Sequence, residues 1–276
     1  YTPQKLVIFI LRDPKTRRIS KSAFRDRIIH HAIVRVIEPI FEKTFIYDSY
    51  ANRKGKGALK AIERFDEFKR KVSRNNTRSC FILKADIKHY FETVNHKNLI
   101  SILEKKIKDK EILHIIKLIL GNYQSKEKEK GMPLGNLTSQ FFANIYLNEL
   151  DQFVKHELKA KYYLRYVDDF AIFADNKELL EEYKKEINKF LKTIGLELHK
   201  GKSKIKRLNQ GIAFLGFRIF YYHKLLKKSN IAKMKRKLQN LKNDFSSSKI
   251  SYDFIYRYFE GCLAYASKAS TFSLRN

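Results

Sequence analysis

The chain has 276 residues and carries 58 lysine and arginine residues against 29 aspartate and glutamate residues, which gives a formal net charge of +29. Apolar residues make up 43% of it, a composition that excludes a disordered chain. Such a charge repels itself in the folded state, so we expect a polyanionic partner, nucleic acid, ahead of a membrane surface or simple solubility. We expect no membrane association.

The cysteines and the apolar runs indicate where the protein works. Cys80 and Cys262 lie far apart, without the spacing of a metal site or a disulfide framework. No run approaches the roughly 18 apolar residues of a membrane span, and no signal peptide is visible. We therefore expect reduced thiols and a cytoplasmic location.

The N-terminal part of the chain predicts a strand, a turn and two helices. KLVIFIL (5–11) predicts the strand, and Asp13-Pro14 marks the turn after it. Beyond Ser22, apolar residues recur with a helical period, and we expect this helix to end near Pro39. A second helix is predicted from about Ala58, after a loop with glycine and lysine.

The remaining chain predicts a sheet framed by helices. CFILKAD (80–86) is typical of a buried strand, and YLRYVDDFAIFA (163–174) of a β-hairpin with Asp-Asp at its tip. Helical patterns cover 96–123, the run after the glycine-rich turn near 131–135, and 176–194. The chain beyond Ile231 is helical, basic and aromatic. This order of elements predicts an α+β fold with a central antiparallel sheet.

The Asp-Asp tip alone fits an ordinary hairpin turn, but Asp86 adds a third carboxylate. If the two strands are neighbours, Asp86, Asp168 and Asp169 meet at one sheet edge, where mutual repulsion calls for a cation. Oxygen ligands without histidine or cysteine favour Mg²⁺. Two such ions stabilise the attacking and leaving oxygens of phosphoryl transfer. With the +29 charge, this pattern indicates nucleotidyl transfer on nucleic acid.

Several motifs occur in an order that resembles the palm of reverse transcriptases. They are ADIKHYF, GMPLGNLTSQ, YVDD, LHKGKSKI and FLGF, and the resemblance runs from about Arg17 to Tyr222. It implies RNA-directed DNA polymerase activity and a right-hand polymerase fold. The expected parts are fingers (1–80), a palm with inserted fingers helices (81–224) and a short, basic helical thumb (225–276).

The resemblance assigns the catalytic centre. Asp86, Asp168 and Asp169 are expected to hold two Mg²⁺ ions, which Mn²⁺ could replace, and the Ile87 carbonyl is a further metal ligand. Lys202 matches the lysine that protonates departing pyrophosphate. With so many basic residues, an ordinary surface lysine is an equal alternative for Lys202.

It also assigns binding residues. Phe91 matches an aromatic gate against the 2′-hydroxyl, with a core phenylalanine as the alternative. Arg53 and Lys56 match a loop that holds the triphosphate, and a solvated basic loop explains them equally well. The other nucleotide-binding residues are Leu134, Gly135 and Gln140. The primer and template are expected on Arg17, Arg18, Arg25 and Arg27, and on a primer grip formed by Phe214, Leu215, Gly216 and Phe217.

One motif departs from the common pattern. Most reverse transcriptases have Gln where this chain has Leu134, and Pro where it has Gln140. The departure resembles enzymes of diversity-generating retroelements, which copy an RNA with frequent errors at adenines. Their partners would be template RNA, the RNA–cDNA hybrid, deoxynucleoside triphosphates and a small basic oligomeric accessory protein. The alternatives are a phage-defence or group II intron-like reverse transcriptase and, less favoured, a catalytically silent RNA-binding protein.

The adjacent His30 and His31 are interpreted as structural, because neighbouring helical side chains point about 100° apart.

Overall fold

A computed structural model describes residues 1–12, 16–123, 125 and 127–272. The turn predicted at Asp13-Pro14 lies outside the described residues. An antiparallel hairpin and two helices form the N-terminal region: β1 (Val7–Leu11), β2 (Arg17–Lys21), α1 (Phe24–Glu42) and α2 (Ala58–Val72).

Helix α1 continues past Pro39, so the end predicted there is wrong. A proline inside a helix removes one backbone hydrogen bond, which weakens the helix without compelling it to stop. Ile37 and Phe41, on either side of the proline, are buried in the core. Their packing holds the last turn in place.

Four antiparallel strands form the central sheet, in the order β4-β5-β3-β6. The apolar, β-branched and aromatic residues of the predicted strands account for the inner pair. The bounds are β3 (Phe81–Asp86), β4 (Tyr163–Tyr166), β5 (Asp169–Ala174) and β6 (Lys204–Arg207).

Helices cover this sheet, and one of them is buried on nearly every side. Three begin with a side chain that accepts backbone N–H groups, supplied by Asn95, Asp109 and Asn176. The helices are α3 (Tyr90–Thr93), α4 (His96–Glu104), α5 (Lys110–Gly121), the central α6 (Leu137–Gln152) with a π-helical end (Phe153–Glu157), and α7 (Lys177–Thr193).

A small antiparallel sheet and two helices complete the described chain. The predicted helical segment beyond Ile231 is divided in two, with a break near residues 247–251. The predicted thumb border after residue 224 falls inside a strand, and the domain borders stay predictions. The elements are a 3₁₀ turn (Leu208–Gln210), β7 (Ile212–Phe214), β8 (Phe217–Ile219), β9 (Lys224–Leu226), α8 (Lys228–Ser246) and α9 (Tyr252–Ala266).

Apolar cores lie on both faces of the central sheet. Leu83 and Phe170 belong to one core, while Ile82 and Phe173 belong to the other, as the alternation of side chains along a strand requires. The α+β expectation is confirmed. No helix in the described part of the chain is long and apolar enough to cross a bilayer.

Candidate active site

Three carboxylates meet where β3 ends and the β4–β5 hairpin turns. Asp86 is the last residue of β3 and is directly opposite Asp169, the first residue of β5. Asp168 occupies the turn immediately before Asp169. The structure therefore brings together the three aspartates that the sequence placed at one sheet edge, and their role as metal ligands remains a prediction.

Two lysines neutralise part of this charge. Lys202 donates to Oδ1 of Asp86 at 2.9 Å, and Lys84 donates to Oδ1 of Asp169 at 2.5 Å. Lys84 and Asp86 are two residues apart on one strand, so their side chains share a face of the sheet. The two ammonium groups hold positive charge directly against the carboxylates.

Within the described part of the chain, Asp168 forms no ion pair with a lysine, and its ionisation is disfavoured. Burial, followed by the negative charges of Asp169 and Asp86, raises the pKa of Asp168 to about 6, while Lys202 opposes the rise. A cation close to a buried carboxyl that lies among other carboxylates stabilises its ionised form. The site is thus short of positive charge at Asp168.

The donor set fits a hard divalent cation, although the side chains are not gathered around one point. Carboxylate oxygens are the ligands that Mg²⁺ prefers. Among residues 1–12, 16–123, 125 and 127–272, no group of three or more histidine, cysteine, aspartate or glutamate side chains could hold a metal ion as arranged. Asp86 and Asp169 each bind a lysine instead. The carboxylates would have to turn from these lysines to share an ion.

The Ile87 carbonyl is free of the local strand pairing. Ile87 pairs with Leu198 in an antiparallel bridge. The hydrogen bonds of this bridge run from His199 N to Asp86 O and from Lys88 N to Glu197 O. Ile87 is therefore in the non-hydrogen-bonded position of the pair. Its proposed part in metal binding is compatible with this geometry and stays a prediction.

A buried arginine supports the turn that carries Asp168. Arg165 and Asp151 form an ion pair with both side chains 0% exposed, through contacts of 2.7 and 2.6 Å. The same guanidinium donates to the carbonyl of Val167 at 3.0 Å. Val167 has φ 53°, a left-handed conformation that is unfavourable for a β-branched residue. Arg165 thus ties this strained turn to α6.

A cavity of about 780 Å³ lies against the residues that follow β3, and we call it the Phe91 cavity. Phe91, Leu134, Arg17 and Arg18 line it, together with Lys88, two residues after Asp86. Phe91 is half-buried, and its ring makes an edge contact with Tyr90 at 5.5 Å. Two of the residues expected to meet the nucleotide and two of those expected to meet the template therefore share one space. Phe91 is both a wall of this cavity and a neighbour of the core.

The glycine-rich turn before α6 is fixed to the N-terminal hairpin. Leu134 accepts a backbone hydrogen bond from Ser20 at 3.0 Å. Gly135 has φ +109°, and a Cβ there would lie 2.8 Å from Ile19, so no other residue fits without strain. Gln140, one turn into α6, is half-buried. The roles of these residues toward the nucleotide stay predictions.

Arg53 and Lys56 lie elsewhere, in the loop between α1 and α2. The Arg53 guanidinium binds Glu42 at 2.6 Å and the carbonyls of Ile46 and Ser49 at 2.7 and 2.8 Å. Lys56 donates to the Tyr47 carbonyl at 2.8 Å and lies over the Tyr47 ring. Neither lines the Phe91 cavity. A triphosphate could bind Arg53 only after these hydrogen bonds break.

The other basic residues predicted to meet nucleic acid are also dispersed. Arg17 and Arg18 are exposed on β2, in the Phe91 cavity. Arg25 and Arg27 are in the first turn of α1, where Arg25 donates to the Thr2 carbonyl at 2.8 Å and Arg27 lies over the Phe24 ring. The structure does not bring the four arginines together.

The predicted primer grip is a hairpin turn with buried flanks. Phe214 and Phe217 are buried, and Phe214 stacks on Phe65 with ring centroids 5.3 Å apart. Leu215 and Gly216 form the turn between β7 and β8, both with positive φ. The two phenylalanine rings are therefore core residues, and only the turn can contact a primer.

His30 and His31 behave as the helix geometry predicts. His30 is buried, and burial lowers its pKa, whereas His31 is exposed. They do not share a binding site.

The profile of the reverse transcriptase (RNA-dependent DNA polymerase) family matches residues 12–219. This is well over half of the chain and includes all three aspartates. The chain belongs to the reverse transcriptase family.

Curated relatives extend this result at low identity. Protein YkfC of Escherichia coli is 26% identical over 255 residues, covering 79% of this chain and 66% of YkfC. The group II intron-encoded protein LtrA of Lactococcus lactis is 29% identical over 170 residues, covering 59% of this chain and 27% of LtrA. The chain thus spans only part of the length of these relatives.

Solved structures agree on the fold. Telomerase from Candida tropicalis, in complex with a fragment of telomeric RNA, matches with a TM-score of 0.61 and 15% identity, covering 94% of this chain and 52% of the telomerase chain. Apo telomerase from the same organism, truncated from its C-terminal domain, gives 0.59 and 15%, covering 81% and 54%. The right-hand polymerase-like fold expected from the motifs is confirmed.

Sequence reasoning missed Lys84, Arg165 and Asp151. Their signal was a charged residue inside an otherwise apolar strand or helix, which is rare unless the charge is paired. Lys84 interrupts CFILKAD, and Arg165 interrupts the strand before Asp168.

Proposed function

We propose that the chain synthesises DNA on an RNA template by metal-dependent nucleotidyl transfer. The observation that carries this proposal is the convergence of Asp86, Asp168 and Asp169 at one sheet edge, within a chain of the reverse transcriptase family. Its substrates would be template RNA, a primer and deoxynucleoside triphosphates. The +29 charge supports a polyanionic substrate.

Some residues of the site would stabilise charge during the reaction, and Phe91 would select the nucleotide by its shape. When bound, Mg²⁺ or Mn²⁺ would stabilise the developing charge on the reacting phosphate. Asp86, Asp168 and Asp169 would hold the ions. Lys202, which donates to Asp86 at 2.9 Å, would give a proton to the leaving pyrophosphate. Phe91 would limit the space available at the sugar.

Substitution of Asp168 by asparagine tests the proposal. Asp168→Asn removes a ligand charge, and we expect primer extension on RNA to fall by about 10³-fold or more, with RNA affinity nearly intact. Asp175→Asn is the matched control, because Asp175 is exposed just beyond the other end of β5. Extension by Asp168→Asn at a rate comparable with wild type would overturn the assignment.

A finer proposal concerns fidelity. Leu134 lines the Phe91 cavity and has no side-chain donor for the incoming sugar. Less nucleotide binding energy then depends on correct geometry, and each ~1.4 kcal/mol of lost discrimination raises error tenfold. This supports error-prone synthesis of the diversity-generating type, with a small basic oligomeric accessory protein as partner.

The curated relatives favour a second candidate within the same activity. LtrA is named as a group II intron-encoded protein, which supports an enzyme that copies intron-like RNA. Sequencing cDNA made from one defined RNA distinguishes the two. An excess of misincorporation opposite template adenine supports the diversity-generating assignment, and uniformly low error at all four bases favours the intron-like or defence-type enzyme.

A further inference from the structure

A second, cationic cavity lies away from the carboxylates, and we call it the distal cavity. It has a volume of about 510 Å³. The end of α2, the turn between β8 and β9, and the residues after α9 form its walls. None of the site residues predicted from the sequence lines it.

Its position follows from a hydrogen bond to the start of β3. The Tyr221 hydroxyl accepts from the backbone N–H of Cys80 at 2.8 Å, immediately before β3 begins. Asp86 is at the other end of that strand, about 17 Å away at ~3.3 Å per residue. The distal cavity therefore opens at the far end of the central sheet.

Among the residues that the structure describes, the distal cavity is lined by more cations than its one carboxylate, Asp66, can pair. Lys69 is buried and donates to the Phe220 carbonyl at 2.9 Å, and it also lies 2.8 Å from Asp66. Lys224 binds the same Asp66 at 2.9 Å. Asp66 is thereby shared between two lysines and has no charge left for other cations.

Two further cations line the cavity and are free to meet a ligand. Arg70 and Lys268 are both exposed. Neither has a carboxylate partner within the part of the chain that the structure describes. Oppositely charged phosphate groups are the ligand that such unpaired cations attract.

An exposed aromatic ring stands beside these cations. Tyr222 lines the cavity and is 82% exposed, so its ring faces are open to solvent. Cationic side chains with an aromatic ring are the combination that holds single-stranded nucleic acid, because phosphates bind the charges and bases stack on the ring. A protein partner would instead favour an apolar centre with few charged residues.

We propose that the distal cavity binds a single-stranded segment of RNA. Its phosphates lie on Arg70 and Lys268, and one base stacks on Tyr222. The proposal rests on the proposed function, because the bound segment is part of the RNA that the enzyme copies. It adds a contact far from the catalytic edge, which tethers RNA that is not yet, or no longer, in the Phe91 cavity.

Charge reversal at the free cations provides the test. The full chain carrying Arg70→Glu and Lys268→Glu is compared with wild type on two probes: an RNA–DNA hybrid with a long single-stranded RNA overhang, and the same hybrid with blunt ends. We expect overhang affinity to fall on the order of tenfold and its salt slope to shrink by about 1.4, because each phosphate contact contributes ~0.7. Blunt-hybrid affinity and primer extension on a short template stay unchanged.

A second variant tests stacking separately from charge. Tyr222→Ala should weaken overhang binding by roughly fivefold or more, since stacking of a base on an aromatic ring is lost, and should leave the salt slope unchanged. The control for the Arg70 and Lys268 variant is Lys106→Glu with Lys110→Glu, which makes the same charge change at exposed positions near the start of α5.

Two outcomes would overturn the proposal. One is undiminished overhang affinity in the Arg70 and Lys268 variant, and the other is an equal loss in the Lys106 and Lys110 control. If primer extension is normal in these proteins, the proposed function stands and only the proposal that the distal cavity binds RNA is refuted. Failure of the wild-type protein to bind or copy RNA would instead refute the proposed function.

Discussion

Phe91 packs against the core and also forms a wall of the Phe91 cavity. Phe91→Ala should open room for a 2′-hydroxyl and raise ribonucleotide incorporation relative to deoxynucleotide by about 10- to 100-fold, because a steric clash is removed. Single-nucleotide extension with each kind of triphosphate measures this ratio. Phe91→Tyr is the control, since it keeps the ring. An unaltered ratio in an active Phe91→Ala enzyme would leave the ring with a packing role alone.

His30 predicts a pH dependence of stability. Burial lowers its pKa below the ordinary 6.5, and the charge of His31 lowers it further, while Asp26 opposes the shift. Below that ordinary value the unfolded chain binds a proton that the folded chain resists, so the free energy of unfolding decreases as the pH falls. The folded state therefore keeps its full stability, as far as His30 is concerned, above the ordinary pKa of 6.5. This stability is lost as the pH falls from that value through the lowered pKa of His30 in the folded chain.

Urea unfolding of wild type, His30→Gln and His31→Gln at about pH 7.5 and about pH 5.5 measures this effect. We expect His30→Gln to flatten the decrease between the two conditions. The exposed His31 should have little influence. An identical decrease in wild type and His30→Gln would show that other groups cause it.

At the scale of elements, the turn between β4 and β5 depends on a clamp from α6. Arg165→Met should lower the free energy of unfolding by about 3–5 kcal/mol, because the Asp151 charge stays buried without its partner. The Val167 carbonyl also loses its donor, so cDNA synthesis should fall further than stability alone explains. Arg207→Met on β6, which removes an exposed arginine from the same sheet, should change stability by no more than about 0.5 kcal/mol. Equal effects of the two substitutions would contradict the clamp.

Elements with a strong local pattern could be predicted from the sequence. The buried strand ending at Asp86, the hairpin around Asp168 and the helix over 176–194 follow from side-chain period and turn residues. The end of α1 could not, because packing of Phe41 outweighs the local effect of Pro39. The same limit applies to Arg53, whose bonds to Glu42 and to loop carbonyls depend on tertiary contacts that motif spacing does not contain.

The ion pairs of the site show most clearly what the sequence can predict and what it cannot. The meeting of Asp86 with Asp169 was predictable, because Asp86 ends one strand and Asp169 begins another that an antiparallel sheet would place beside it. Which lysine each would bind was not, since Lys84 and Lys202 are two among 58 basic residues. Their choice is made by the register of the folded sheet.

At the scale of the whole molecule, the net charge of +29 predicts how affinity responds to salt. Binding to single-stranded RNA should weaken steeply between about 50 and 200 mM salt, with log K falling by about 0.7 per log unit of salt for each phosphate contact, because bound counterions are released. Titration of a labelled RNA at several salt concentrations gives the slope. A nearly flat response would mean that the charge does not serve nucleic acid.

The buried pair of Arg165 and Asp151 also limits how this sequence can change over time. Removing either charge alone leaves the other uncompensated in the core, whereas an apolar pair of similar volume can be as stable as the ions it replaces. The two positions are therefore separated from such a replacement by an intermediate of low fitness, although both ends of the path fold. Descendants of this chain would be expected to keep both residues or to exchange both, and a library that randomises positions 151 and 165 together should recover combinations that no succession of single substitutions reaches.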